Sequence, residues 1–308
     1  MSLATNPSPF PKYSENGNQK PKKQVKPKFI FAHSYWDILP VLSGIAHLCY
    51  LVAMFVLFNE LSWWANLFLG LGYAWAISWN INGVSHFFIH NPYFKSNLLN
   101  RAFSLVESIA MVFSQTFYDN VHRRHHSGNS DRKNAKGETI DWLSIYKYGE
   151  NNEAENVWSY TLKSYFRDDP IQIFKEIRRR SPFLAWFGLF EIIVVVSLVV
   201  ITTILNWKFI LFMLPFYYIG NCLSSLNGFY EHWHGNPDLP IAWGVSSYGK
   251  LYNFLWFNNG YHAEHHYRPK QHWSKMKELH FQILEQQKQA GVHVIKWSHG
   301  LGFLQPNK

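Results

Sequence analysis

Cysteine is almost absent. The 308 residues hold two, Cys49 and Cys222, each inside an apolar run and far from the other. No disulfide framework, CxxC redox pair or zinc finger can be built from them, and they read as small core residues. No G-x-G-x-x-G follows a strand-like run, so a dinucleotide fold is not expected. The hydrolytic metal signature H-E-x-x-H is missing too: His86 is followed by Phe87, and no histidine cluster has glutamate next to its first member. Charge is scarce over long distances. Residues 38–58 and 63–82 contain no Asp, Glu, Lys or Arg. A net charge of +9 alone would permit a nucleic-acid partner. The 14 Trp and 25 Phe beside long uncharged runs argue against one, and no nucleic acid is expected.

Residues 1–30 are rich in Pro, Asn, Ser and Lys, without an apolar period, and are expected to be a disordered basic tail. A secretory signal is not expected, because the next apolar stretch is too long for one and lacks a small-residue cleavage site. Residues 31–290 then read as one membrane domain, and 291–308 as a C-terminal tail. About 20 apolar residues cross a bilayer core of roughly 30 Å. Four runs qualify, at 38–58, 63–82, 183–205 and 209–226. Residues 98–117 carry Arg101 and Glu107 and read as a helix in the interface or half-entering it. Asp169-Pro170 opens a short helix whose Ile171, Phe174 and Ile177 share a face. Another helix runs from Ser274 to Ala290 and stops at Gly291. Glu191, alone in the third run, is either a functional acid or a hydrogen-bonded or snorkelling one.

The N-terminal lysines and Arg178-Arg179-Arg180 mark one side of the membrane as cytoplasmic. An even number of crossings precedes every histidine cluster, so all clusters fall on that side. The expected fold is an all-α, multi-pass membrane protein. Its four transmembrane helices form two hairpins, and a cytoplasmic helical cap carries the histidines.

Ten of the 16 histidines sit in four clusters. Two read H-x-x-H-H: His122, His125, His126 and His262, His265, His266. Positions i, i+3 and i+4 share a helix face, so one segment can aim three imidazoles at one point. His86 and His90 form a pair at i, i+4, and Glu231-His232-Trp233-His234 is the fourth cluster. Nine imidazoles (His86, His90, His122, His125, His126, His232, His262, His265, His266) exceed what one ion can use, which implies two metals. His234 is a further candidate. All-nitrogen ligation suits Zn, Cu, Fe or Ni alike. A metal transporter would carry its ligands within the crossings. His33, His47, His272, His280, His293 and His299 read as surface or packing residues.

These residues resemble the integral-membrane fatty acid desaturase superfamily. His86–His90 looks like its first histidine box, His122–His126 with Asn129 and Asp131 like its second, and His262–His266 closed by Arg268-Pro269 like its third. Glu231-His232 is similar to the isolated ligand before the last box. It is also similar to an Asn-x-x-Glu-His segment of membrane alkane hydroxylases, although Asn227 stands one residue too far away. The resemblance implies two iron ions, O₂ as co-substrate, two external electrons and hydrogen abstraction from an unactivated C–H bond. A fatty acid desaturase is the expected activity. The alternative is a hydroxylase of an acyl chain, alkane or other apolar substrate, and from another class a metal transporter or zinc-dependent membrane protein. The acyl chain would be carried on lipid, coenzyme A, acyl carrier protein or as a free acid. A separate donor such as a ferredoxin or cytochrome would supply electrons. Asn258 and Asn259 are candidates for a metal-bound water or a supporting contact. Asp119, Glu231 and Glu264 are candidates for orienting imidazoles through their free nitrogens.

Overall fold

The computed structural model describes residues 30–127, 131–151 and 153–305, so the basic N-terminal stretch up to residue 29 and Asn129 lie outside it. Among the described residues, regular structure is helical apart from two isolated bridges. α1 (Ile38–Leu57) and α2 (Trp63–Trp79) pair across a short turn. The Ser62 hydroxyl starts α2 by accepting from the Ala65 amide, and Tyr50 ties the pair by donating to the Leu69 carbonyl at 2.7 Å. α2 passes through a π-helical turn, Asn80–Ser85, directly into α3 (His86–His90). The wider turn rotates everything after it relative to α2.

α4 (Asn97–Met111) and α5 (Gln115–His125) form a tight hairpin. The single helix expected over 98–117 is broken at Val112, which takes the left-handed conformation at φ 57. Ser114 then caps α5 by accepting from the Phe117 amide. Polar groups at the hairpin tip are paired: Tyr217 donates to the Val112 carbonyl, and Ser114 donates to Glu191 at 2.7 Å. Glu191 is fully buried and also accepts from Ser104 and the Thr116 amide, so it is a hydrogen-bonded acid that does not snorkel.

α6 (Val157–Lys163) and α7 (Pro170–Arg180) follow. Asp169 caps α7 through the amides of Ile171 and Gln172. The buried face of α7 is Ile173 and Ile177, whereas Ile171 stays exposed, so the face is turned from the expected one. α8 (Pro182–His232) bends at Asn206, whose φ and ψ of −155° and 80° are not helical. The Asn206 side chain accepts from the Phe209 amide and starts the second arm. Two stretches, Tyr35–Leu57 and Pro182–His232, are long and apolar enough to cross a bilayer. Only 22% of the most apolar part of the second is buried, so its apolar side chains face outward.

The remaining elements are α9 (Lys250–Leu255), α10 (His262–Tyr267) and α11 (Met276–Ala290). α11 ends at Gly291 with φ 70, a conformation only glycine adopts without strain. Met276, Leu279 and Ile283 of α11 share a core with Phe87 and Phe88 of α3 and with Phe257 and Tyr261. Each such side chain contributes about 1.5–3 kcal/mol by leaving water. This core clamps α3 and α10 together. Beyond Ala290 the chain folds back, and His299 is fully buried.

Candidate metal centre

Four elements deliver the imidazoles: α3, α5, the last residue of α8, and α10. The structure gathers His86, His90, His122, His126 and His265 into one group, and His125, His232, His262 and His266 into another. Within each group the facing nitrogens lie within 4.8 Å of one another. All nine expected positions are therefore brought together, but each H-x-x-H-H motif is divided between two points and does not aim at one. On α5, His122 and His126 join the first group and His125 the second; on α10, His262 and His266 join the second and His265 the first. Helix geometry explains the division. At about 100° per residue, i and i+4 lie about 40° apart, while i+3 falls about 60° to the other side. The groups touch where the His126 and His266 rings stack, 4.3 Å between centroids.

The spacing tests whether an ion fits. In the first group, Nε2–Nε2 distances are 2.8 Å for His86–His265, 2.8 Å for His90–His122, 3.1 Å for His122–His126 and 3.1 Å for His126–His265. In the second they are 3.1 Å for His232–His262 and 3.2 Å for His125–His266. Two nitrogens about 2.1 Å from a shared ion at roughly a right angle would be about 3.0 Å apart. Burial pushes eight of the nine imidazoles below their ordinary range, His86 to about 3. Burial thus favours the neutral ring, the form that binds metal. His125 is the exception. Burial lowers it, but the hydrogen bond and charge of Asp141 outweigh burial and raise it.

Carboxylates stand behind the second group. Asp141 meets His125 Nδ1 at 2.7 Å, Asp131 meets His232 Nδ1 at 3.2 Å, and Glu231 lies 3.7 Å from His262 Nδ1. Such partners fix the tautomer and orientation of a ligating ring. Asp131 also accepts from the Trp243 indole at 2.8 Å. Glu231 accepts from Asn227 and Asn259, and burial pushes its carboxyl up to about 7. Close backbone approach fixes α10: a Cβ on Gly244 would come within 2.8 Å of the His262 carbonyl oxygen. Ser246 accepts from the Ala263 amide and donates to Glu264.

The other candidate residues are dispersed. Asn259 reaches the centre through Glu231. Asn258 instead donates to the Trp273 carbonyl. Asp119 pairs with Arg123 and Arg180 on the surface and meets no histidine. Glu264 is buried but touches no ligating ring; its partners are Ser246, Tyr248 and His280 Nδ1 at 2.6 Å. His234 lies tilted against the Trp233 ring and neighbours His293, outside both groups. Asp141, His280 and His299 were not singled out by sequence. His280 had a local signal, since it lies among the buried Met276, Leu279 and Ile283 of α11. Asp141 lies 15 residues beyond His126 in a polar loop, with no periodicity to mark it.

A cavity of about 680 Å³ reaches both groups, touching His86 and His122 of one and His125, His232 and His262 of the other. Its apolar lining includes Phe113, Phe117, Ile192, Val195 and Phe166. The fold and the site thus define a helical protein with two adjoining imidazole groups bordering a largely apolar cavity. Residues 61–298 match the family model described as fatty acid desaturase, and the chain belongs to that family, whose members are acyl-chain oxidoreductases. Comparison with curated proteins gives no match.

Proposed function

We propose that this protein is a membrane-embedded, di-iron, O₂-dependent desaturase of an acyl chain. One observation carries the reading: nine imidazoles gather in adjoining groups of five and four, and five of them line one largely apolar cavity. When bound, an iron pair supplies O₂ activation and the power to abstract hydrogen from an unactivated C–H bond. The chain's own residues do the rest. Phe113, Phe117 and Val195 exclude water and hold an alkyl chain by contact alone. His86, His122, His125, His232 and His262 line the cavity. Glu231 lines the same cavity and is held there by the side-chain amides of Asn227 and Asn259. A separate protein supplies the electrons.

The same reading gives four crossings, with the two arms of α8 as the second hairpin and the histidine groups on the cytoplasmic face. It is supported by the outward apolar side chains of α8 and by Arg178–Arg180 at its start. The test is iron and product together. Purified protein should hold about two irons per chain, and cells expressing it should accumulate acyl products lighter by two hydrogens. Zinc alone at full occupancy, or products heavier by one oxygen, would overturn the desaturase reading.

A further inference from the structure

Resting on the acyl-chain reading above, we propose that the chain enters sideways from the bilayer while still attached to a membrane lipid. The entrance is a slot between the 3-10 turn Ser164–Phe166 and the first arm of α8. Ile192, Val195 and Val196 of that arm, at i, i+3 and i+4, line the cavity with one helix face. Val195 is buried and Val196 is 53% exposed, which puts the rim at Val196. The opposite rim is Tyr165 and Phe166, which also line the cavity and are 40% and 70% exposed. Outward from Val196 the same arm exposes Ile193 and Val200. The slot therefore opens onto apolar surface of the kind that lipid chains cover.

The turn is fastened on one side. Ser164 donates to Ser225 at 2.7 Å, Tyr165 and Tyr217 hydroxyls meet at 3.1 Å, and the Phe166 ring lies 5.8 Å from that of Tyr218. All three partners belong to the second arm. The first arm faces the turn with aliphatic side chains, so an alkyl chain passing between them breaks no hydrogen bond. The opening selects the carrier. A chain on a membrane lipid already lies against the exposed apolar surface around Val196, whereas coenzyme A or a carrier protein brings a strongly charged head that apolar surface does not solvate. No Lys or Arg lines the cavity to receive its phosphates among the described residues.

Photolabelling tests this without turnover. The full-length holoprotein is placed in phosphatidylcholine vesicles in which some lipid carries a diazirine on its acyl chain. Parallel samples receive the same chain as coenzyme A thioester or as free acid. After illumination, labelled peptides are mapped by mass spectrometry. The lipid should label the segment around Ile192 and Val195. Val196→Trp should cut that label at least about tenfold, equivalent to about 1.4 kcal/mol, and Val196→Ala should not reduce it. Val200→Trp, further along the exposed side and outside the cavity, should leave it unchanged. Iron content of each variant reports whether the fold survives. Labelling by the thioester or free acid alone, by none of the three, or in a manner indifferent to Val196→Trp overturns the proposal. A protein that labels as expected but forms no product keeps this entrance and loses the desaturase reading.

Discussion

The five-histidine and four-histidine groups draw on the same two motifs but are supported differently. Behind the four stand Asp131, Asp141 and Glu231. Behind the five, among the described residues, no carboxylate pairs with a ring. Fewer nitrogens are thus offset by anionic partners that strengthen each ring as a donor. An ion in the five-histidine group keeps its positive charge against neutral ligands alone. Similar sequence motifs have produced two electrostatically unequal sites.

The largest expected effect comes from the rings themselves. His262→Ala leaves three nitrogens in one group and His265→Ala leaves four in the other. Each should lower bound iron to about one per chain or fewer. Product formation should fall by more than the roughly 10–100-fold typical of losing an outer partner. His262→Ala should lose the more iron; equal losses by metal analysis would remove the inequality between the groups. Next, Asp141→Asn should weaken metal at the four-histidine group by about 10–100-fold and at the other by less. A competition titration with a chelator reads both sites, and an equal effect on each would contradict the assignment.

Acid should come third. Eight of the rings are held below the ordinary 6.5, so each binds fewer protons folded than unfolded. Their share of stability is complete above pH 6.5 and is lost as pH falls below it. His125, raised by Asp141, has the opposite sign: its share is present below 6.5 and is lost as pH rises through its folded value. Eight against one, the metal-free protein should melt at lower temperature as pH falls from 7 toward 5. A melting curve that rises over that interval would show the rings charged. The smallest effect belongs to Asp119→Asn. Its partners Arg123 and Arg180 are half-exposed, so stability should change by no more than about 0.5 kcal/mol. Iron content should not change, and a loss would bring Asp119 back into the centre.

That the histidines gather was legible because i, i+3, i+4 spacing is local; that the i+3 ring turns to a second point lay in the same helix geometry and contradicts the single aim expected of each motif. The bend at Asn206 was legible because Asn206-Trp207-Lys208 interrupts two apolar runs. What sequence hid was contact across distance. Asp141 reaches His125 through a loop, and Glu264 finds His280 on another helix. Neither pair has a period to read. Val112 was missed for a different reason: a valine gives no sign that it will take a left-handed turn, and Tyr217, whose hydroxyl donates to the Val112 carbonyl, lies 105 residues away.

The reciprocal division of α5 and α10 makes the two sites an interlock. Each helix would lend two nitrogens to one ion and one to the other, so turning either helix would disturb both. The first ion to arrive would fix both helices in the rotation the second requires, and the second would bind with the ordering already done. Metal uptake should accordingly be cooperative. A half-starved preparation would be a mixture of empty and fully loaded molecules, with few singly loaded ones.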